Sequence, residues 1–156
     1  MQTQRYAIAP LRLADRDRWQ QLWREYQVFY KVDLPQAVTE STWRRIHDGR
    51  VRALGAYAAA GELLGIVHFL FHEDTWSTAP ACYLQDLYVD PRARGSGCAR
   101  QLIGAVADSA RAAGANEPYW LTHETNGVAR RLYDRLAKNH GFIQYVYTAR
   151  APDLAP

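Results

Sequence analysis

Six consecutive residues, Arg94-Gly95-Ser96-Gly97-Cys98-Ala99, have the types and spacing to hold an anion. Pro91 ends the strand-forming run before them, because proline cannot donate to a ladder, and an apolar stripe of helical spacing starts at Ala99. A strand-to-helix turn of this kind gathers unpaired backbone N–H groups at the positive end of a helix dipole. Glycine there admits a phosphate close to the backbone and tolerates positive φ, and Arg94 adds a fixed positive charge. Spacing removes two owners of such a loop. A dinucleotide fingerprint requires Gly or Ala where this chain has Arg100, and the Gly-Lys-Ser/Thr of a Walker loop occurs nowhere. An anion cradle and an ordinary Gly-containing turn both remain. Cys98 lies where the helix dipole favours a thiolate, but no histidine can be paired with it from the sequence, so a nucleophile is rejected. Five histidines and two cysteines show no metal-ligand spacing, and no metal is expected.

The elements that must position this loop follow from periodicity. Tyr6 to Leu13 reads as a strand, and Asp15 as the cap of a helix carrying Trp19, Leu22, Trp23, Tyr26, Phe29 and Tyr30. A second helix is expected from Thr39 or Glu40 to His47. Arg52 to Ala59 and Glu62 to Glu73 form a hairpin across Ala60-Gly61. Ala81 to Asp90 is the strand before the loop, and Gly97 to Ala113 the helix after it, stopped by Gly114. Pro118 to His123 reads as a fifth strand, Val128 to Ala137 as a last helix ending near Gly141, and Phe142 to Ala149 as a sixth strand. The expected order is β-α-α-β-β-β-α-β-α-β: one α/β (α+β) domain over residues 1–156, with a central, mixed, mostly antiparallel sheet flanked by helices. A length of 156 residues with 48% apolar content supports one such core. No apolar run reaches the roughly 20 residues of a membrane span, and the N-terminus lacks an export signal, so a cytoplasmic protein is expected. A net charge of +3, gathered in arginines 92–100 and 130–135, suits a polyphosphate but is too weak for a nucleic-acid face.

Arg94-x-x-Gly97-x-Ala99 resembles the acyl-CoA pyrophosphate motif of the GNAT superfamily of N-acetyltransferases. The strand Leu87-Tyr88-Val89-Asp90-Pro91 before it and Asn126-x-x-Ala129-x-x-x-Tyr133 after it are similar to the flanking motifs of that family, in the same order. Together they span residues 81–145. Tyr83-Leu84-Gln85-Asp86-Leu87-Tyr88-Val89 is similar to the corresponding strand of spermidine/spermine N-acetyltransferases. Phe29-Tyr30-x-Val32-x-Leu34-Pro35 and Leu132-Tyr133-x-x-Leu136-Ala137-x-x-x-Gly141-Phe142 look more like the yeast histone and D-amino-acid N-acetyltransferase branch and its bacterial relatives.

The resemblance implies direct transfer of acetyl from acetyl-CoA to a primary amine: that of a small amine, an amino acid or a protein lysine. It implies that the amides of Leu87 and Val89, on the strand that includes Tyr88, meet the pantetheine and acetyl carbonyl. Gly95, Ser96, Gly97, Cys98, Ala99 and Arg100 would take the pyrophosphate beside Arg94, and Asn126 and Ala129 would line the CoA arm. Asn126 serves equally as a helix cap. Tyr133 would protonate the departing thiolate; on stripe membership alone it is a core tyrosine. The polyamine enzymes carry glutamate where this chain has Gln85, and glutamine accepts no proton. Asp86 is the nearest carboxylate for base or substrate contact, although strand alternation turns neighbours to opposite faces. Glu25, Asp33 or Glu124 acting through water is an equal possibility. Glu25, Tyr26, Phe29, Tyr30 and Asp33, with Glu73, Asp74 and Trp76, suit a cationic acceptor by charge pairing and cation–π contact, or else form core and solvated face. Pairing through the C-terminal strand would give a homodimer. The rival function is a CoA-binding sensor or partner module with little turnover, for which Gln85 is the sequence hint.

Overall fold

The computed structural model describes residues 5–147, which fall into two compact units, one ending at Leu121 and one beginning at Thr122. The first unit holds β1 (Ala7–Pro10), α1 (Arg16–Phe29), α2 (Gln36–His47), β2 (Arg52–Tyr57), β3 (Leu63–His72), β4 (Ala81–Val89) and α3 (Cys98–Ala112). Its strands form one antiparallel sheet in the order β1-β2-β3-β4. The second unit holds α4 (Gly127–Leu136). No helix among the described residues is long and apolar enough to cross a membrane.

Apolar spacing explains the layers. Trp19, Leu22 and Trp23 bury one stripe of α1 and, with Trp43 of α2 and Leu63, Ile66 and Tyr88 of the sheet, form a single aromatic-rich core. On the other face, α3 buries Cys98, Leu102, Ile103, Val106 and Ala110. Its close approach requires Gly65: a Cβ there would stand 3.0 Å from Cys98 Sγ and 3.1 Å from Leu102 Cδ1. β3 is buried almost throughout, as a strand covered on both faces must be.

Local rules and the observed elements differ at four places. Asp15 occupies the position before α1 but makes no cap bond there. Its carboxylate turns back to accept from Arg12 N–H and side chain and from the Tyr57 hydroxyl, closing the preceding turn. α2 begins at Gln36, directly after Pro35, three to four residues before the polar pair chosen from sequence. Residues 118–123 give a single parallel bridge, Tyr83 to Tyr119, and no ladder beyond it. Residues 142–147 carry no strand, and the remainder of the expected sixth strand lies outside the described residues.

Candidate acetyl-transfer site

The Gly-rich loop is set by a buried anchor at the end of β4. Asp90 accepts from the N–H, Nε and Nη2 of Arg92 and from Arg18, and these bonds, with Arg92 foremost and against the opposing effect of burial, hold its carboxyl well below the usual range. The turn Pro91–Ala93 follows, and Gly95 and Gly97 then take φ of +73° and +89°, conformations that a side chain disfavours. Arg94 N–H donates to Pro91 O at 3.3 Å and Gln101 N–H to Gly97 O at 3.1 Å. Among the described residues the six N–H groups between them, Gly95 to Arg100, have no backbone partner. Six free donors at a helix N-terminus fit a pyrophosphate. Ser96 is occupied within the loop's support, donating to Ala93 O and sharing a hydrogen bond with Tyr6. Cys98 faces inward against Gly65, and burial pushes its thiol up to about 12, so it is no thiolate at neutral pH. Arg94 donates to Val89 O and lies over the Tyr88 ring, 5.6 Å from its centroid.

β4 carries one residue more than β3 can pair. His68 stands opposite Asp86 and Phe69 opposite Leu84, so Gln85 is the extra residue of a β-bulge. The bulge changes both the backbone and the side-chain parity of the strand. Before it, Leu84 N–H points away from β3 to bond Tyr119 O. After it, Asp90 N–H points toward β3, to Leu64 O. Counting back from Asp90, the N–H of Tyr88 faces β3 while those of Leu87 and Val89 face the edge that residue 119 leaves after its one bridge. The same shift brings Asp86 to the α1 face, so the alternation that separated it from the position of Gln85 does not hold here. Gln85 itself is exposed.

Asp86 is the centre of a side-chain network that the motifs do not contain. Tyr26 on α1 donates its hydroxyl to Oδ1 at 2.8 Å, and His68 Nδ1 meets Oδ2 at 3.0 Å. The other nitrogen of His68, Nε2, accepts from Trp19 Nε1 at 2.9 Å. Burial and the Asp86 carboxylate together push the Tyr26 phenol well above its ordinary range, with Tyr30 and Tyr83 adding to the effect. The Asp86 side chain is 13% exposed, and no Lys or Arg of the described residues lies within ion-pair distance of it. Trp23 stacks on Tyr26 at 5.1 Å, Tyr30 packs on Tyr26 at 4.9 Å, and the Trp23 indole N–H is buried without an acceptor. Glu25 accepts from the Tyr88 hydroxyl at 3.0 Å. His68, passed over in the sequence because it sits alone in an apolar run, is 1% exposed and completes the site; its signal was the very burial of a polar ring in β3.

In the second unit Asn126 caps α4, its Oδ1 accepting from Ala129 N–H at 3.4 Å and its Nδ2 donating to Thr122. Ala129 and Tyr133 share the half-buried stripe of that helix. Among the described residues no group of three or more His, Cys, Asp and Glu is placed to hold a metal ion.

The Acetyltransferase (GNAT) family profile matches residues 17–150. The chain belongs to this GNAT family. It is 35% identical over 148 residues to a D-amino-acid N-acetyltransferase of Saccharomyces cerevisiae, covering 93% of this chain and 92% of the relative. A ribosomal-protein-alanine N-acetyltransferase from Brucella melitensis biovar Abortus 2308 shares the fold at a TM-score of 0.78 and 26% identity, over 92% of this chain and 99% of that one. A structure of AAC(6')-Iy with the bisubstrate analogue CoA-S-monomethyl-acetylneamine superposes at 0.80 with 17% identity, over 92% and 98% of the two chains, a likeness of fold. This GNAT chain is an acetyltransferase that acts on an amine, and a binding module without turnover is not favoured.

Proposed function

We propose that the acceptor amine enters as its ammonium ion beside Asp86 and gives its proton to that carboxylate. The observation that carries this is a carboxylate nearly out of solvent, held at both oxygens by neutral donors, with no cationic side chain among the described residues to balance it. A charge in that state favours a cation from outside, and the Tyr26, Tyr30, Tyr83 and Trp23 rings supply a cation–π surface around it. Free of its proton, the amine would be placed to attack the thioester carbonyl, with the Leu87 or Val89 N–H to hold the developing oxyanion. As the C–S bond breaks, the second proton of the nitrogen would pass to solvent, and Tyr133, once it has protonated the thiolate, would be reprotonated from solvent. Acetyl-CoA supplies the thioester when bound. The amides of Gly95 to Arg100 with Arg94 hold its pyrophosphate, Asn126 and Ala129 line its arm, and Tyr133 donates a proton to the leaving thiolate. This assignment makes residues 1–156 one working domain, acting in the cytoplasm as a homodimer. The acceptor is a small primary amine, and the yeast relative puts D-amino acids first in the panel to be tried.

A thiol-release assay with acetyl-CoA against D- and L-amino acids, polyamines and a lysine peptide tests the reading. Turnover is expected to fall at least about 100-fold in Asp86→Asn and in Tyr133→Phe, with acetyl-CoA affinity retained. Wild-type rates in Asp86→Asn, or acetyl-CoA binding without thiol release on any amine, would refute it.

A further inference from the structure

We propose that His68 is a positioning residue for the acceptor site: the Trp19 indole N–H fixes its neutral Nδ1–H form, which holds Asp86 as an uncompensated anion. The inference rests on the assignment of Asp86 above and adds the device that keeps Asp86 available.

The argument follows from donor and acceptor counting. An indole nitrogen can only donate, so His68 Nε2, 2.9 Å from Trp19 Nε1, must present a lone pair. A neutral imidazole with a lone pair on Nε2 carries its proton on Nδ1, and Nδ1 therefore donates to Asp86 Oδ2. Protonating His68 would set an Nε2–H against the indole N–H, two donors face to face, within a core where Trp19 is fully buried and His68 nearly so. Breaking that contact would leave a buried donor without a partner. Trp19 thereby opposes formation of an imidazolium that would otherwise pair with Asp86 and occupy the place of the acceptor's ammonium. The groups facing His68 and Asp86 are Trp19, Trp23, Tyr26 and Tyr30 from α1, Tyr83 from β4 and the uncharged Ala53 paired with His68 from β2. Among them only the Asp86 carboxylate is charged at neutral pH. Tyr26 from α1 and His68 from β3 together fix both oxygens of the carboxylate, which a single donor could not do.

Three measurements on the full chain test this. In wild-type protein at pH 7, a long-range ¹H–¹⁵N spectrum should show His68 protonated on Nδ1 and bare on Nε2, with the resonance assigned by its disappearance in His68→Asn. In Trp19→Phe, the ratio of variant to wild-type KM for the amine should rise about tenfold from pH 8 to pH 5.5, with the kcat ratio constant over that range, because the contact that opposes an imidazolium is gone. In His68→Leu, loss of a donor to the carboxylate should move the acid limb of kcat/KM up by about one pH unit, and His68→Asn, which restores a donor near Nδ1, should move it back. Damage to packing alone would lower both kinetic constants at every pH and leave the limb in place. A proton on Nε2 in the wild type overturns the proposal, and so does a pH-independent KM ratio in folded Trp19→Phe. If Trp19→Phe does not fold, the spectrum and the His68 pair decide. Should Asp86→Asn keep wild-type KM and kcat, the acceptor assignment itself fails; should it lose activity while the His68 and Trp19 results come out flat, only the positioning role is lost.

Discussion

The two halves of the proposed transfer site are built from different materials. The donor side consists of backbone: the amides of Gly95 to Arg100 and of Leu87 and Val89. The acceptor side consists of side chains brought from α1, β3 and β4 onto one carboxylate. A backbone site depends on the path of the chain and hardly on side-chain identity, so it tolerates most substitutions that preserve φ and ψ. A side-chain site depends on each partner by name. The contrast teaches where selectivity can vary in this molecule: the anion cradle is common property of any chain that takes the turn, whereas the acceptor pocket is specific to Trp19, Tyr26, His68 and Asp86.

The largest effect expected from this contrast is at Asp86. Asp86→Asn should lower kcat/KM for the amine by two orders of magnitude or more while leaving the acetyl-CoA Kd within about twofold, as steady-state kinetics and calorimetry would read it. The mirror case is Gly97→Val. A branched side chain at φ +89° costs about 2 kcal/mol, and the variant should weaken acetyl-CoA binding by about 30-fold with the amine KM unchanged. If Gly97→Val instead raised the amine KM alone, the division between the two sides would fail. Next comes the anchor beneath the cradle. The Asp90 carboxyl is held low in the folded state, so its contribution is present above the unfolded value near 4 and is lost as pH falls below it. Asp90→Asn should lose about 2 kcal/mol at pH 7, seen as a lower Tm, and should flatten the acid loss of stability below pH 4. The smallest effect is expected at Cys98. Cys98→Ala should cost about 1 kcal/mol of stability through lost packing against Gly65, while acetyl-CoA Kd stays within twofold, because alanine keeps the backbone N–H.

The same contrast explains what could be read from the sequence. A backbone site leaves a local record in glycines, a stopping proline and the start of an apolar stripe, and the loop at Arg94 to Ala99 was legible for that reason. So were α1, α3 and the hairpin, whose apolar periods are long enough to speak for themselves. The acceptor network left no such record, because His68 and Asp86 lie 18 positions apart and Trp19 a further 49 from His68. Alternation along β4 even argued against Asp86, since a bulge adds a residue without a composition of its own. Asp15 misled in the same way: an acidic residue before a helix reads as its cap, but Arg12, three residues earlier, and Tyr57, from β2, hold its carboxylate instead. The strand expected at 118–123 has the right residues and meets β4 at a single bridge, and how far such a pairing extends is a property of topology and not of propensity.

The bulge at Gln85 makes the pocket's chemistry a matter of counting. Deleting that one residue would return the strand to strict alternation and exchange which of its groups serve the donor and which the acceptor. Across a lineage, such a scaffold could trade one acceptor for another through single-codon insertions and deletions in this strand, a route that would re-aim the Leu87 and Val89 amides as well and leave only the Gly95 to Arg100 cradle in place.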